Sequence, residues 1–517
     1  MRIVRLILGR KNIFLIRLVT MSNQTRGITL LGLGPGDPQL LTRQAWQALQ
    51  NAGEVYLRTR QHPTVSGFPA NLQIFSFDDA YERYDSFEQV YEHIVQQVLS
   101  LGERPQGVLY AVPGHPFVAE ATCPEIARRA RQTGLPVRVI EGLSFIGAVF
   151  TALELDPLPH TNVVDALELA HGHVPPFPPD APALVAQLYS REVASEVKLT
   201  LMEVYPDEHP IVLVHAANTP QERVERLPLH DLDRSEFTGL LTTLYLPPLA
   251  PATSFESFQE VIAHLRAPDG CPWDREQTHQ SLRSYLLEET YEVLSALDSA
   301  DPHSLQEELG DLLLQIVLHA QIASEEGEFR MSDVLQQVNS KLVYRHPHVF
   351  GETQVDGVEH VLVNWERLKA AEKKQDGKQR ESILDGVPLA LPALIQAEQY
   401  QRRAARVGFE WPALQAVVDK IQEELAEVQQ AETVENRLAE VGDLLFAVVN
   451  LARTLEADAE TALREANARF RRRFGFIEKK TRLQGKSISD LSLEQMLALW
   501  QEAKLETSQD SGNQNPE

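Results

Sequence analysis

The stretch "YLLEETYEVLSAL", residues 285–297, decides how the second half of this chain is read. Leu286, Leu287, Val293, Leu294 and Leu297 recur at helical spacing and predict the buried stripe of a helix. Glu288, Glu289 and Glu292 stand among them. Unpaired charge beside a buried stripe is expensive. Something must compensate these carboxylates.

The pattern occurs twice. "LLEETYEVL" (286–294) aligns with "IQEELAEVQ" (421–429), so Glu288, Glu289 and Glu292 fall on Glu423, Glu424 and Glu427. "EELGDLLLQIV" (307–317) aligns with "LAEVGDLLFAVV" (438–449), pairing Glu308 with Glu440 and Asp311 with Asp443. "NSKLVYR" (339–345) aligns with "NARFRRR" (467–473), and "WERLK" (365–369) with "WQEAK" (500–504). Four blocks in the same order are the mark of an internal duplication, over 256–375 and 393–505.

On a helix, i, i+1 and i+4 share a flank. Each repeat therefore offers five carboxylates from two helices: Glu288, Glu289, Glu292, Glu308 and Asp311, then Glu423, Glu424, Glu427, Glu440 and Asp443. Gathered acids repel and hold raised pKa values unless a cation intervenes. An all-oxygen ligand set suits Mg²⁺, or Mn²⁺. A single E-x-x-E is ordinarily a solvated face, and only the recurrence of the acids argues otherwise. The third block supplies Lys341 with Arg345, and Arg469 with Arg473, each pair at i, i+4. Bases so placed suit phosphate oxygens. A carboxylate-bridged di-iron or di-manganese bundle would need Glu-x-x-His. Here Tyr291, Glu292 and Asp311 stand where His would be required.

Bulk properties set bounds. A chain of 517 residues predicts roughly two to four domains. A net charge of −25 repels nucleic-acid backbone and anionic membrane, so neither is an expected partner. Cys123 and Cys271 are the only cysteines, which fits a reducing, cytoplasmic setting. The opening "MRIVRLILGRKNIFLIRLVTMSNQTRG" is basic, but charges break its apolar run. Residues 1–25 are read as an extension, with Met21 as an alternative start. The polar tail 506–517 is expected to be disordered.

Residues 26–245 alternate strands and helices and predict an α/β domain with a largely parallel sheet. The strand runs are "GITLLGLG", "GVLYAVPG", "LPVRVIEGLS" and "HPIVLVHAA". The proline-rich loop "HVPPFPPDAP" (173–182) is read as a connection between subdomains. Residues 246–255 have the composition of a linker, and the rest reads as all-helical.

Two resemblances follow. "LRAPDGCPWDREQTHQSLRSYLLEETYEVL", "EELGDLLLQIVLHAQ", "KLVYRHPHVFG" and "NWERLKAAEK" resemble the MazG family of nucleoside triphosphate pyrophosphohydrolases, over nearly all of 256–505. The resemblance implies an all-α tandem bundle, usually dimeric, with Mg²⁺ on the ten acids named above. It implies cleavage of the α–β phosphate link by a metal-activated water, giving a nucleoside monophosphate and pyrophosphate. Glu289, Glu292, Glu424 and Glu427 are the candidate bases, and Lys341, Arg345, Arg469 and Arg473 the phosphate contacts. The second repeat lacks the "GCPWD" lead-in and the "RHPHVF" tail.

The first half resembles the tetrapyrrole methylases, through "LLGLGPGDPQLLT" (30–42), "YAVPGHPFVAEAT" (110–122), "VIEGLSFIGAVFTALEL" (139–155) and "LVHAANTPQE" (213–222). That resemblance implies two α/β subdomains with S-adenosylmethionine between them. It places cofactor contacts at Gly34, Gly36, Asp37, Pro113, Gly114 and Ser144, and leaves the methyl acceptor open. His115 departs from the family's P-G-D-P. A different reading makes the helical half a non-catalytic dimerisation or regulatory module beside an active methyltransferase.

Overall fold

The computed structural model describes residues 26–375 and 382–510. The expected extension, 1–25, and the end of the expected tail, 511–517, lie outside the described residues. The chain divides between Leu335 and Gln336 into two compact units.

The first unit opens with a five-stranded parallel sheet, in the order β3-β2-β4-β1-β5. Its strands are β1 (Ile28–Gly32), β2 (Glu54–Leu57), β3 (Gln73–Ser76), β4 (Val108–Val112) and β5 (Val137–Ile140). Helices α1 (Arg43–Asn51), α2 (Asp78–Arg83), α3 (Phe87–Gly102) and α4 (Thr122–Gln132) make the crossovers. Strand β4 is buried along its whole length, as a central parallel strand with both faces covered must be. Leu31, Leu49, Val55 and Ala111 belong to one core, and Leu30, Ile94, Tyr110 and Ile126 to another. From β1 the chain crosses to one side of the sheet; from β4 it crosses to the other. The carboxyl ends of these neighbours form a switch point, where open α/β sheets bind ligands.

The second sheet corrects the expectation of a largely parallel one. It consists of β6 (Asn162–Asp165), β7 (Ala183–Ala186), β8 (Pro210–His215), β9 (Arg223–Pro228) and β10 (Thr242–Leu246), in the order β6-β7-β10-β8-β9. Only β6 and β7 pair in parallel; the other pairings are antiparallel. The connection from β8 to β9 is too short for a crossover, so these strands must run oppositely. Helix α5 (Phe145–Leu153) leaves the first sheet and packs Val149, Phe150 and Leu153 against Leu184, Val212 and Val214 of the second. This helix is the subdomain junction. The proline-rich loop is not: it lies between α6 (Ala166–Ala170) and β7, with Phe177 in the second core. Helix α7 (Arg191–Met202) covers that core with Ala194, Val197 and Leu201.

Residues 246–255 are tied down. Leu249 N–H donates to Pro179 O at 2.8 Å. Ser254 and Ser257 both donate to the Asp180 carboxylate at the start of α8 (Phe255–Arg266). Then come α9 (Pro272–Glu276), α10 (Arg283–Ser299) and α11 (Pro302–Glu325). Ile262, Leu282, Val317, Leu318 and Ile322 form their shared core.

Helix α12 (Met331–Arg345) spans the division. The second unit contains α13 (Pro347–Phe350), α14 (Gly357–Gln375), α15 (Ala393–Ala405), α16 (Leu414–Gln430), α17 (Val434–Thr454), α18 (Ala459–Leu483) and α19 (Leu493–Asp510). The duplication is visible as two antiparallel-type pairs, α10 with α11 and α16 with α17. Helix α19 runs through Asp510, into the segment that its polar composition marked as tail.

The opening stripe is not buried as its spacing predicts. Leu287, Leu294 and Leu297 are exposed, and Ala296 is the buried residue of α10. Helix α10 packs chiefly on α11, which covers one side of the stripe and leaves the rest open.

Candidate functional site

Pairing α10 with α11 brings together Glu289, Glu292 and Glu308, with one carboxylate oxygen of each within 4.8 Å of the others. Pairing α16 with α17 does the same for Glu424, Glu427 and Glu440. These two triads correspond residue for residue under the sequence repeat. Burial first, then the charges of Asp311 and Glu292, holds the Glu289 carboxyl above its ordinary range. Glu308 is raised by burial and by Glu292, Glu307 and Asp311. Glu440 is raised by burial and by Glu427, Asp443 and Glu424. Asp311 and Asp443 thus act on the triads through their charge while standing outside them. Glu288 acts on Glu289 in the same way.

The repeats differ at one base. Lys420 Nζ lies 2.8 Å from both Glu423 and Glu424, and these bonds raise its pKa. Lys420 thus bridges Glu423, which stands outside the triad, and Glu424, which belongs to it. The matching position in the first repeat is Tyr285. Sequence reasoning missed Lys420, although its i, i+4 spacing to Glu424 was a legible signal.

Three of the four expected phosphate contacts are engaged within the chain. Arg345 pairs with Glu372 at 2.6 Å and sits 5.6 Å above the Trp365 ring. Arg473 sits 5.8 Å above the Trp500 ring, the equivalent contact in the second repeat. Arg469 pairs with Glu465 at 3.2 Å. Lys341 lies on α12, one turn before Arg345.

A second constellation lies at the switch point of the first sheet. Gly34 and Gly114 exchange backbone hydrogen bonds, of 3.1 and 2.9 Å. A Cβ on Gly32 would stand 2.4 Å from Gly142 N and 2.6 Å from Gly114 O. Three backbones meet there, and only glycine lets them. Gly36 faces the other subdomain, where its Cβ would be 2.9 Å from Thr219 Cγ2. Pro113 precedes Gly114 in the same loop. Asp37 accepts from Gln39 N–H at 2.8 Å, and Ser144 from Ile146 N–H at 3.2 Å, so both side chains cap local helical turns. His115 accepts from Phe117 N–H at 3.1 Å and serves as a turn residue.

Beside this cradle, Arg58 forms a buried ion pair with Glu120 and donates to the hydroxyls of Tyr81 and Tyr91 at 3.0 Å. Burial opposes the guanidinium charge, but Glu120 and the tyrosines more than offset it. Nothing in the sequence signals this cluster, because its members are far apart in the chain.

Among the described residues, no helix is long and apolar enough to cross a membrane.

The fold and the paired triads define a two-part protein: a methylase-type α/β region followed by a MazG-type helical region. Comparison with known families agrees. Tetrapyrrole (Corrin/Porphyrin) Methylases match residues 27–233, and the MazG nucleotide pyrophosphohydrolase domain matches residues 277–350. The protein YabN of Bacillus subtilis (strain 168), itself uncharacterized, is 43% identical over 493 residues, covering 92% of this chain and 98% of its own. The nucleoside triphosphate pyrophosphohydrolase of Escherichia coli (strain K12) is 46% identical over 250 residues, covering 47% of this chain and 94% of its own. A solved uroporphyrin-III-C-methyltransferase from Thermus thermophilus shares 25% identity over 43% of this chain and 94% of that one, with a TM-score of 0.35. The chain belongs to the family in which a tetrapyrrole-methylase-like domain is fused to a MazG-like pyrophosphohydrolase domain.

Proposed function

We propose that the helical half is a Mg²⁺-dependent nucleoside triphosphate pyrophosphohydrolase that clears nucleotides from the pool. The observation that carries this reading is the convergence of the same three acids in both repeats. The donor set fits a hard divalent ion. Glu424 is buried; its Oε1 pairs with Lys420, and its Oε2 has no hydrogen-bond partner among the described residues. An orphaned carboxylate oxygen in a cluster of like charges calls for a cation. Mg²⁺, with Mn²⁺ as a substitute, would be held by Glu289, Glu292 and Glu308, by Glu424, Glu427 and Glu440, and by the flanking Glu288, Asp311, Glu423 and Asp443. When bound, such an ion polarises phosphate oxygens and lowers the pKa of a coordinated water.

The chain's own groups do the rest. A triad carboxylate, from Glu289, Glu292, Glu424 or Glu427, takes a proton from the attacking water. Lys341, Arg345, Arg469 and Arg473 neutralise phosphate charge, with Arg345 and Arg473 steadied on their tryptophans. Nucleoside triphosphate and water give nucleoside monophosphate and pyrophosphate. The exposed Leu287, Leu294, Leu297, Leu309 and Leu313 support a homodimer, and the presence of only two cysteines supports a cytoplasmic setting. The chain would then consist of a methylase-like domain over 26–245, a connection over 246–255 and two helical repeats over 256–375 and 393–505.

A second site is proposed for the first half, where the glycine cradle favours S-adenosylmethionine. Backbone that no Cβ could share brings peptide groups close to a ligand.

The experiment is pyrophosphate release from a panel of nucleoside triphosphates with Mg²⁺ or Mn²⁺. The intact chain is compared with Glu289→Gln/Glu308→Gln and Glu424→Gln/Glu440→Gln. Loss in either variant supports the proposal and locates the working triad. No release from the intact chain with any nucleotide would favour the regulatory reading, with chemistry confined to the first half.

A further inference from the structure

The segment leading into α10 meets α11 through a pair of histidines. His279 Nδ1 lies 2.7 Å from His319 Nδ1. The two rings are 9° from parallel, with centroids 5.0 Å apart. Rings stacked face to face keep their atoms about 3.5 Å apart or more. This contact therefore runs edge to edge, along the direction of an imidazole N–H. One Nδ1 carries a proton and the other accepts it. His319 Nε2 is buried with no partner, so this is the one polar contact of the His319 ring among the described residues. Glu326 and Glu328 approach the same place. One ring nitrogen of His279 and one carboxylate oxygen of each acid all lie within 4.8 Å of one another.

Two acids are poorly placed here without a cation. They follow the last residue of α11, where the helix presents the negative end of its dipole. The guanidinium at this corner is already committed. Arg266 pairs with Glu325 at 2.7 Å and donates to Asp274 O and, at 3.3 Å, to Gln277 O. It thus ties the segment before His279 to the end of α11. Gly327 takes a φ of +74°, and Glu328 N–H donates to Ala323 O at 2.9 Å, closing the helix with Glu326 and Glu328 on either side of the glycine. No base pairs with Glu326 or Glu328 among the described residues. The second repeat builds its helix pair without the histidines: under the duplication His279 and His319 fall on Leu414 and Leu451.

We propose that His279, Glu326 and Glu328 bind a divalent transition-metal ion, Zn²⁺ by the chemistry of the donors, with His319 as a positioning residue. Imidazole with carboxylate oxygens is a zinc donor set, and three protein ligands leave a fourth place for water. A ligating imidazole ordinarily donates its other N–H to a fixed acceptor. His319 Nδ1 is that acceptor, which leaves His279 Nε2 for the metal. The set differs from the all-carboxylate triads, which suit a harder ion. It is also remote from them: Glu308 stands eighteen residues before Glu326, about 27 Å along a helix. The ion would fasten the start of α10 to the end of α11, the two helices that carry the first triad.

The test titrates the full chain with Zn²⁺ in excess Mg²⁺, which competes for sites made of carboxylates alone. Affinity is read by competition with a chromophoric chelator, and ¹⁵N-labelled histidine reports the rings. Zn²⁺ should move the His279 ring nitrogens, assigned from the His279→Ala spectrum, and should raise Tm. His279→Ala, and separately Glu326→Gln/Glu328→Gln, should each weaken the tightest Zn²⁺ site by tenfold or more. The second of these alters only exposed side chains, so folding does not confound it. His319→Leu, which matches the second repeat, should weaken the site by about tenfold without removing it. Glu289→Gln/Glu308→Gln should leave Zn²⁺ affinity within twofold, which separates this site from the first triad. Affinity of Glu326→Gln/Glu328→Gln within twofold of the wild type, or unmoved His279 ring nitrogens at saturating Zn²⁺, would overturn the inference and leave the acids as a solvated corner.

Discussion

Lys420 holds Glu424 at 2.8 Å, one helical turn away, and the first repeat has no base in the matching place. The second triad therefore carries an internal counter-ion that the first lacks. A divalent ion at Glu424 must compete with that ammonium. Lys420→Met should tighten Mn²⁺ binding at the second triad by roughly fivefold, the scale of a partly exposed ion pair. The corresponding change at the first repeat, Tyr285→Lys, should weaken binding there. Manganese titration followed by electron paramagnetic resonance, in chains with one triad neutralised, measures each site alone.

Acidity should act on the two states of the helical half with opposite sign. Glu289, Glu308 and Glu440 hold their protons more tightly when folded than when unfolded. Without metal, their contribution favours the fold below the ordinary glutamate pKa of about 4.3, and is lost as pH rises through the raised native values. With Mg²⁺, protons and metal compete, so metal affinity should rise over that same window. Thermal melts in chelator and in Mg²⁺, from below the ordinary glutamate pKa of about 4.3 upward, would check this. The pH dependence in chelator should flatten when Glu289, Glu308 and Glu440 are all changed to Gln.

The cradle makes a steric prediction. Gly32→Ala would drive a methyl into the backbone of Gly142 and Gly114, neither of which can swing aside. It should destabilise the methylase-like half by about 3 kcal/mol and abolish binding of S-adenosylhomocysteine. Gly147→Ala, with nothing within 4 Å of its added Cβ, should be neutral or mildly stabilising. Urea melts and calorimetry on the two variants give the contrast.

Glu120→Gln should cost about 3 kcal/mol, because it leaves the Arg58 guanidinium buried without its counter-charge. Replacing both, as Arg58→Met with Glu120→Gln, should recover part of the loss. A double-mutant cycle read by urea denaturation separates the pair energy from the cost of the orphan.

The helical half was legible where the sequence repeats itself. Glu289 and Glu292 share a helix, and their spacing alone puts them together. Glu308 joins them only through the α10–α11 pairing, and its presence was inferable because Glu440 recurs in the same block. Which three of five acids converge was not legible, since that depends on how the two helices are rotated. The exposure of Leu287 and Leu297 was hidden for a related reason: periodicity reveals an apolar face but not what covers it. In the first half, glycine spacing marked the loops around Gly34 and Gly114. The mixed second sheet went unread because β6 and β7 are short and β9, though as long as β8, is largely polar. The pairing of Arg58 with Glu120 is a product of long-range folding that no local pattern encodes.

Asp180 gives the junction at Ser254 a mechanical character that its composition conceals. One carboxylate on the proline-rich loop grips two serines at the root of α8. Cutting the chain at 246–253 would not simply free two modules: a fragment beginning at α8 would start with an unanchored first turn, and the fragment before it would keep a carboxylate with nothing to hold. The joint works as a bolted flange rather than a tether, so the two activities proposed for this chain are better separated by point substitution than by scission.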